Sequence, residues 1–465
     1  MRRLGLMIVC LVAAVAVAFA VVRRRGPAAP RNVVLISIDT LNQRALRAFD
    51  ASAVPQWNLD AFAERSVRFT KAYSAAPWTL PSHASLFTGL YPDRHGDTDY
   101  RCTMKPEIAT LASVLRERGF ETLAFTEGTF LDRRYGFDRG FDRYDANGAS
   151  GDPPLSLPRN GSKPNKVGED PFDRGIAVLQ QRADSKRPFF LFLHTYAVHN
   201  YTNLTPWAAA DIPRAELRTT KQYTECLHDA NLCSARDREV LAQLYSRELS
   251  HLDPQFGGFL AALDESGLRR STLVIVVSDH GEGFDAQHAR IHHGGRLNED
   301  QLRVPVMFSA PGLEAQTIDA PISLVDVMPT TLALLGVDPP QGIDGRSFAD
   351  AVRGGSAAAP RPLYAMEFFF FWDGGKRFET PSVREDPLSL AVIDDGKTYI
   401  TDRSGEQLYD IDSDPDQRRD LAATSPMPEA FRRLALERRQ AKPERVAQRE
   451  EMERAEQLRA LGYVQ

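Results

Sequence analysis

Apolar residues cluster along this chain in two ways. From Leu4 to Val22 a 19-residue run carries no charge. Three shorter runs, NVVLISI from Asn32, FFLFL from Phe189 and LVIVV from Leu273, are rich in β-branched and aromatic side chains. Continuous apolar runs of this length predict strands buried on both faces. Helical stretches lie between them, such as Ile108 to Arg118, closed by Gly119. Strands alternating with helices predict an α/β fold, a large mostly parallel sheet sandwiched by helices.

The intervening polar stretches divide the chain. Arg23 to Arg31 reads as a linker, and Asp145 to Gly168 and Thr202 to Arg236 read as irregular loops. After Ala357 the pattern shifts: AVIDDGKTYITDRSGEQLYDI predicts a short antiparallel pair, and Pro428 to Leu461 a charged helix. The expected division is an anchor and linker over 1–31, a catalytic domain over 32–356 and a smaller C-terminal α+β subdomain over 357–465. The first apolar run is close to the ~20 residues that span a bilayer. Arg2 and Arg3 precede it and Arg23, Arg24 and Arg25 follow it, which reads as an uncleaved membrane anchor. Small residues at Ala18 and Ala20 leave a cleaved signal open. Positive charge at both ends leaves the orientation open as well. The expectation is a membrane-anchored protein whose catalytic domain is periplasmic or extracellular.

With 43% hydrophobic and 26% charged residues the chain has the composition of a folded globular protein. A net charge of −5 argues against a nucleic-acid partner, since no excess of Lys and Arg exists to neutralise phosphates. Cys226 and Cys233 are close enough for a local disulfide, which would suit an exported domain, or for two unpaired loop thiols.

The strand ends carry the chemistry. Asp39 follows the first buried run, His194 to His199 the second, and Ser278-Asp279-His280-Gly281 the third. Ligand sites in open α/β sheets form at the C-terminal ends of strands. One Asp there is as readily a turn residue, but three polar ends with carboxylate and imidazole suit a divalent cation. In PWTLPSHASLFTGLYPDRHG, Pro81 fits the first turn of a helix, which puts Thr79 at or just before a helix N-terminus. There a threonine is either a helix cap or a hydroxyl placed to attack a bound anion.

These segments resemble the sulfatase family of the alkaline-phosphatase superfamily. Thr79-Leu80-Pro81-Ser82-His83, continuing to Thr88-Gly89, is similar to the signature C-x-P-S-R that leads into a helix ending in T-G. NVVLISIDT, LHTYAVHN, VVSDHGEGF, HHGGRLNEDQLRVPVMFSAPG, SLVDVMPTTLALLGV and QLYDIDSDPDQRRDLA resemble further family segments, in family order. The resemblance implies an alkaline-phosphatase-like fold and one divalent metal held by Asp39, Asp279, His280 and the Thr79 oxygen. It also implies Thr79 as nucleophile, His199 as a catalytic histidine and His293 at a substrate-binding position. Kinship suggests Ca, while the mixed Asp and His set suits Mn or Zn. His288, His292 and His293 could serve a second metal, although His288 and His292 read more simply as solvated loop residues.

The chain departs from the family pattern at its centre. Sulfatases convert a Cys or Ser to formylglycine, whereas oxidation of Thr79 would leave a ketone. His83 replaces the usual Arg and is expected to help hold the anion; Thr40 replaces a second Asp, and LAFTEGTFLD lacks the family Lys and His. The expected activity is therefore metal-dependent hydrolysis of a sulfate- or phosphate-type ester on a small molecule, glycan or lipid. A membrane-anchored phosphoryl-group transferase and a catalytically weak binder of anionic glycans remain as alternatives.

Overall fold

β1 (Asn32–Ile38) is buried along its whole length. Its alternate residues serve opposite faces: Val33 and Leu35 join one core cluster, and Val34, Ile36 and Ile38 the other. A strand apolar on both faces belongs inside a covered sheet, and β1 lies within one of eight strands. In chain order the others are β2 (Val67–Phe69), β3 (Glu121–Thr126), β4 (Arg143–Ala146), β5 (Phe189–Thr195), β6 (Thr272–Val277), β7 (Val306–Ser309) and β8 (Gln316–Ile318). Their spatial order is β8-β2-β7-β6-β1-β5-β3-β4. β7 runs antiparallel to β6 and β2, and the other ladders are parallel.

This computed structural model describes residues 29–146, 170–182, 185–228, 230–284, 291–368, 372–373, 376–377, 387–440 and 446–447. The expected anchor, His288 and nearly all of the expected Asp145–Gly168 loop lie outside these residues. Among the described residues no helix is long and apolar enough to cross a membrane.

Helices cover both faces. α1 (Trp57–Glu64), α4 (Pro171–Arg182) and the 31-residue α5 (Ala235–Glu265) pack on one. α2 (Thr79–Thr88), α3 (Leu111–Glu117) and α6 (Val327–Leu334) pack on the other. α3 is the expected helix after Ile108, and Gly119 takes a left-handed φ of 84° just past its end.

Register positions the chemistry. Ser37 of β1 pairs with His194 of β5 on one side and with Val277 of β6 on the other. The C-terminal ends of these three strands are therefore level, and Asp39, His194 and Asp279 emerge side by side where the chain crosses from one half of the sheet to the other.

Two expectations change. Thr202 to Arg236 is not wholly irregular, since it contains helix Thr220–His228, and a disulfide joins Cys226 in that helix to Cys233, with Cα atoms 5.2 Å apart. The C-terminal helix is shorter than predicted: α7 spans Glu429–Gln440, while Val446–Ala447 pair antiparallel with Cys102–Thr103. Pro443 lies between them in the sequence, and a helix interior tolerates proline poorly.

The predicted antiparallel pair belongs to a four-stranded antiparallel sheet, β9 (Leu363–Glu367), β10 (Ser389–Asp394), β11 (Lys397–Asp402) and β12 (Gly405–Asp410). This subdomain docks on the segments that flank α2, at Ala75 and Tyr91. Met366 N donates to Ala75 O at 2.9 Å, and Gly295 N donates to Glu367 Oε1.

Candidate active site

Thr79 is the first residue of α2, and the cap position belongs to Trp78, whose backbone is extended and whose side chain makes no cap hydrogen bond. The Thr79 hydroxyl instead donates to Asp39 Oδ2 at 3.2 Å and lies 3.4 Å from His280 Nε2. The cap reading therefore fails. All ten residues of α2 are buried. The helix is pinned to the strand ends by Ser82, whose hydroxyl donates to Asp279 O at 2.6 Å. Its N-terminal turn leaves backbone N–H groups without intrahelical partners, a setting that favours an anion.

Asp39, Asp279 and His280 present ligand atoms within 4.8 Å of one another, and all three are fully buried. Asp39 Oδ1 and Asp279 Oδ2 have no hydrogen-bond partner, although burying an uncompensated carboxylate is costly. Burial pushes Asp39 up to about 6, and burial together with the Asp39 charge raises Asp279. Burial opposes the charged form of His280, but the Asp279 and Asp39 carboxylates outweigh it and raise its pKa. A divalent cation among these atoms would satisfy both orphaned oxygens and keep the carboxylates ionised, so the residues fit the metal that the sequence implies.

Backbone strain supports the arrangement. Thr40, which follows Asp39, holds a φ of 60° and donates its N–H to Asp279 Oδ1 at 3.3 Å. A β-branched residue rarely adopts that conformation. Tyr245 on α5 donates its hydroxyl to Thr40 O at 2.9 Å and so helps hold the turn. Thr40 thus orients a carboxylate through its backbone, at the position of a family carboxylate.

The histidines separate into two groups. His83 is fully buried, with Nε2 2.9 Å from Ser37 Oγ and Nδ1 3.0 Å from Thr79 O. Burial lowers it to about 3, so it is neutral. The expected anion-holding role of His83 is therefore corrected: it has neither a charge nor a ring nitrogen to offer. It supports the Thr79 turn, with Nδ1 3.4 Å from Asp279 Oδ2. His199 and His293 stand together with ring centroids 5.0 Å apart, and His293 lies 4.4 Å from His280. His292 is half-buried against both, not a solvated loop residue, because the isolated bridge between Gly283 and His292 folds it inward.

The protein family model for sulfatases matches residues 31–337. The chain belongs to the sulfatase family. Among its relatives, an ulvan-active sulfatase of Formosa agariphila is 26% identical over 80% of this chain and 74% of its own. A Δ4,5-hexuronate-2-O-sulfatase of Bacteroides thetaiotaomicron is 25% identical over 84% of each. The fold is shared with the solved phosphonate monoester hydrolase of Agrobacterium radiobacter, at a TM-score of 0.66, 20% identity and coverage of 88% of this chain and 94% of that one. The chain is accordingly an ester hydrolase by family.

His194, at the expected polar end of the second buried run, joins this sulfatase-family site, whereas Tyr196, Glu127 and Glu282 were not singled out from sequence. His194 Nε2 lies 3.2 Å from Asp39 Oδ2, and the signal was a histidine ending an apolar strand. Tyr196 packs its ring 4.6 Å from that of His194 and 5.4 Å from that of His199. Glu127, in the segment without the family Lys and His, accepts from Tyr196 N and from Thr195 Oγ1, tying the ends of β3 and β5 together. Glu282 lies two residues beyond His280, with Oε2 2.9 Å from His293 Nδ1.

Proposed function

We propose that this sulfatase-family chain hydrolyses an anionic ester through Thr79 at a divalent metal held by Asp39, Asp279 and His280. The contact of Thr79 Oγ1 with both Asp39 Oδ2 and His280 Nε2 carries the reading. A threonine ester has no geminal hydroxyl through which the carbon–oxygen bond could expel the anion. Water must attack the central atom, which favours a phosphate-type ester over a sulfate. The carrier is a small molecule, glycan or lipid; kinship to an ulvan-active sulfatase and a hexuronate-2-O-sulfatase favours a glycan.

In the first step the Thr79 hydroxyl gives up its proton along its hydrogen bond to Asp39, its oxygen bonds to phosphorus and the bond to the leaving oxygen breaks. Asp39 aligns the hydroxyl, and the α2 N-terminus stabilises the charge that develops on the phosphoryl oxygens. When bound, the divalent cation supplies Lewis-acid polarisation and lowers the pKa of the hydroxyl. Burial lowers His199 to about 3, which leaves it unsuited to donate a proton at neutral pH. His293, with Nδ1 held by Glu282, protonates the leaving oxygen. Water then attacks phosphorus, the bond to the Thr79 oxygen breaks, phosphate leaves and a proton returns to the hydroxyl. The run from Leu4 to Val22 would tether this site to a membrane.

Paired aryl phosphate and aryl sulfate assays test the reading, with and without an alcohol acceptor. Thr79→Ala is expected to lower kcat by about 10³-fold or more, with fold and metal retained. Full turnover in that variant would overturn it. Acceptor-dependent turnover would assign the site to transfer instead.

A further inference from the structure

Tyr196 directly follows β5 and is buried. Its ring stands edge-on to two histidines, with centroids 4.6 Å from His194 and 5.4 Å from His199. His194 in turn lies 3.2 Å from Asp39 Oδ2, the oxygen to which Thr79 donates. The Tyr196 backbone is fixed on both sides: its N–H donates to Glu127 Oε2, and its carbonyl accepts from Asn200 N at 3.1 Å. The hydroxyl at the tip of this held ring is buried and has no hydrogen-bond partner, a costly state for a polar group. The Asp39 and Asp279 carboxylates, the Phe130 backbone and the Thr79 hydroxyl lie close enough to act on it. An unused donor beside the nucleophile fits a hydrogen bond that tightens only during turnover.

The second step of the proposed reaction makes the Thr79 oxygen a leaving group. Water attacks phosphorus, and the electron pair of the breaking bond goes to the Thr79 oxygen. The proton that water sheds balances the one this oxygen regains. An alkoxide leaves far less readily than an aryl oxide, so this step needs a donor at the Thr79 oxygen more than the first step does. Most neighbours cannot supply one. Asp39 accepts from Thr79. His280 Nδ1 lies 3.0 Å from Gly281 O, which places the ring proton there and leaves Nε2 a lone pair for the metal. His83 has both ring nitrogens engaged, at Ser37 and at Thr79 O. The family Lys and His are missing from LAFTEGTFLD.

We infer that the Tyr196 hydroxyl donates a hydrogen bond to the Thr79 oxygen as the covalent ester is cleaved, so that breakdown of the intermediate depends on it more than formation does. A phenol is protonated at neutral pH, and Tyr196 keeps its proton throughout; it stabilises the departing oxygen without transferring anything to it. This inference rests on the reading of Thr79 as nucleophile, and its test separates the two.

Tyr196→Phe keeps the ring between the histidines and removes only the donor. The test follows the full chain with an activated aryl phosphate by rapid acid quench and peptide mass spectrometry. It reads the rate at which the Thr79 adduct forms and, once substrate is exhausted, the rate at which it decays. Circular dichroism verifies the fold of the variant. In Tyr196→Phe the adduct is expected to decay about 100-fold more slowly than in the wild type, while its formation slows by less than about threefold. Release of the aryl alcohol should accordingly show a stoichiometric burst followed by a slow phase. A decay rate equal to that of the wild type would overturn the inference and leave Thr79 as nucleophile, as would equal slowing of formation and decay. Absence of any Thr79 adduct in both proteins would overturn the nucleophile reading, and the inference with it.

Discussion

The Thr79 hydroxyl donates to the Asp39 carboxylate at 3.2 Å, across 40 positions of sequence. β1 delivers Asp39 to this contact and α2 delivers Thr79, so the contact depends on how helix and sheet are docked. Asp39 is fully buried beside a second carboxylate, and its Oδ1 has no hydrogen-bond partner, with His280 Nε2 3.9 Å away. Without a cation this arrangement is costly. Asp39→Asn removes one of the two charges, so it is expected to stabilise the metal-free protein by about 1–2 kcal/mol. The same change should weaken metal binding at least about 100-fold. Denaturant titration in chelator, set beside metal titration, checks both; a destabilised metal-free variant with wild-type metal affinity would contradict the assignment.

Gly281 directly follows His280, and a Cβ there would lie 2.2 Å from Asp300 O. The Gly281 N–H donates to Gln301 O at 2.7 Å, so neither backbone can retreat cheaply. Gly281→Ala should cost about 1–3 kcal/mol as an overpacked contact and should displace His280, with a loss of metal affinity. Calorimetric metal titration reads the second effect. Wild-type affinity in this variant would show that the close approach does not set the position of His280.

Much of this was legible because the buried strands are unbroken apolar runs that each end in a polar residue. Asp39, Asp279 and His280 could be found from that pattern, and the parallel sheet followed from it. Thr79 could not be separated from a cap by local sequence, because a cap and a nucleophile occupy the same turn; the direction of its hydroxyl decides between them. His83 was misjudged for a related reason. Its residue type suggested anion binding, but its position in the second turn of α2 puts the ring beneath the strand ends, against Ser37. Glu282 and the inward turn of His292 depend on backbone strain that no spacing encodes.

His95 offers a test of pH dependence. It is fully buried, with Nδ1 accepting from Asp97 N at 3.0 Å and Nε2 3.2 Å from Pro81 O in the first turn of α2. Burial lowers it from 6.5 to about 3. The folded state therefore favours the neutral ring. Its contribution is fully present above pH 6.5 and is lost as pH falls toward 3, by up to about 1.4 kcal/mol per pH unit. His95→Gln should flatten that part of the acid profile. Denaturant midpoints of both proteins between pH 7.5 and 4.5 would reveal it, and parallel profiles would exclude His95 as the source.

The central claim is that Thr79 is covalently modified during turnover. Acid-quenched turnover of an activated aryl phosphate, followed by peptide mass spectrometry, tests it most directly. The account predicts one phosphoryl group on Thr79 in the wild type and none at any residue in Thr79→Ala. Turnover with no adduct on Thr79, or an adduct on another residue that persists in Thr79→Ala, would contradict it.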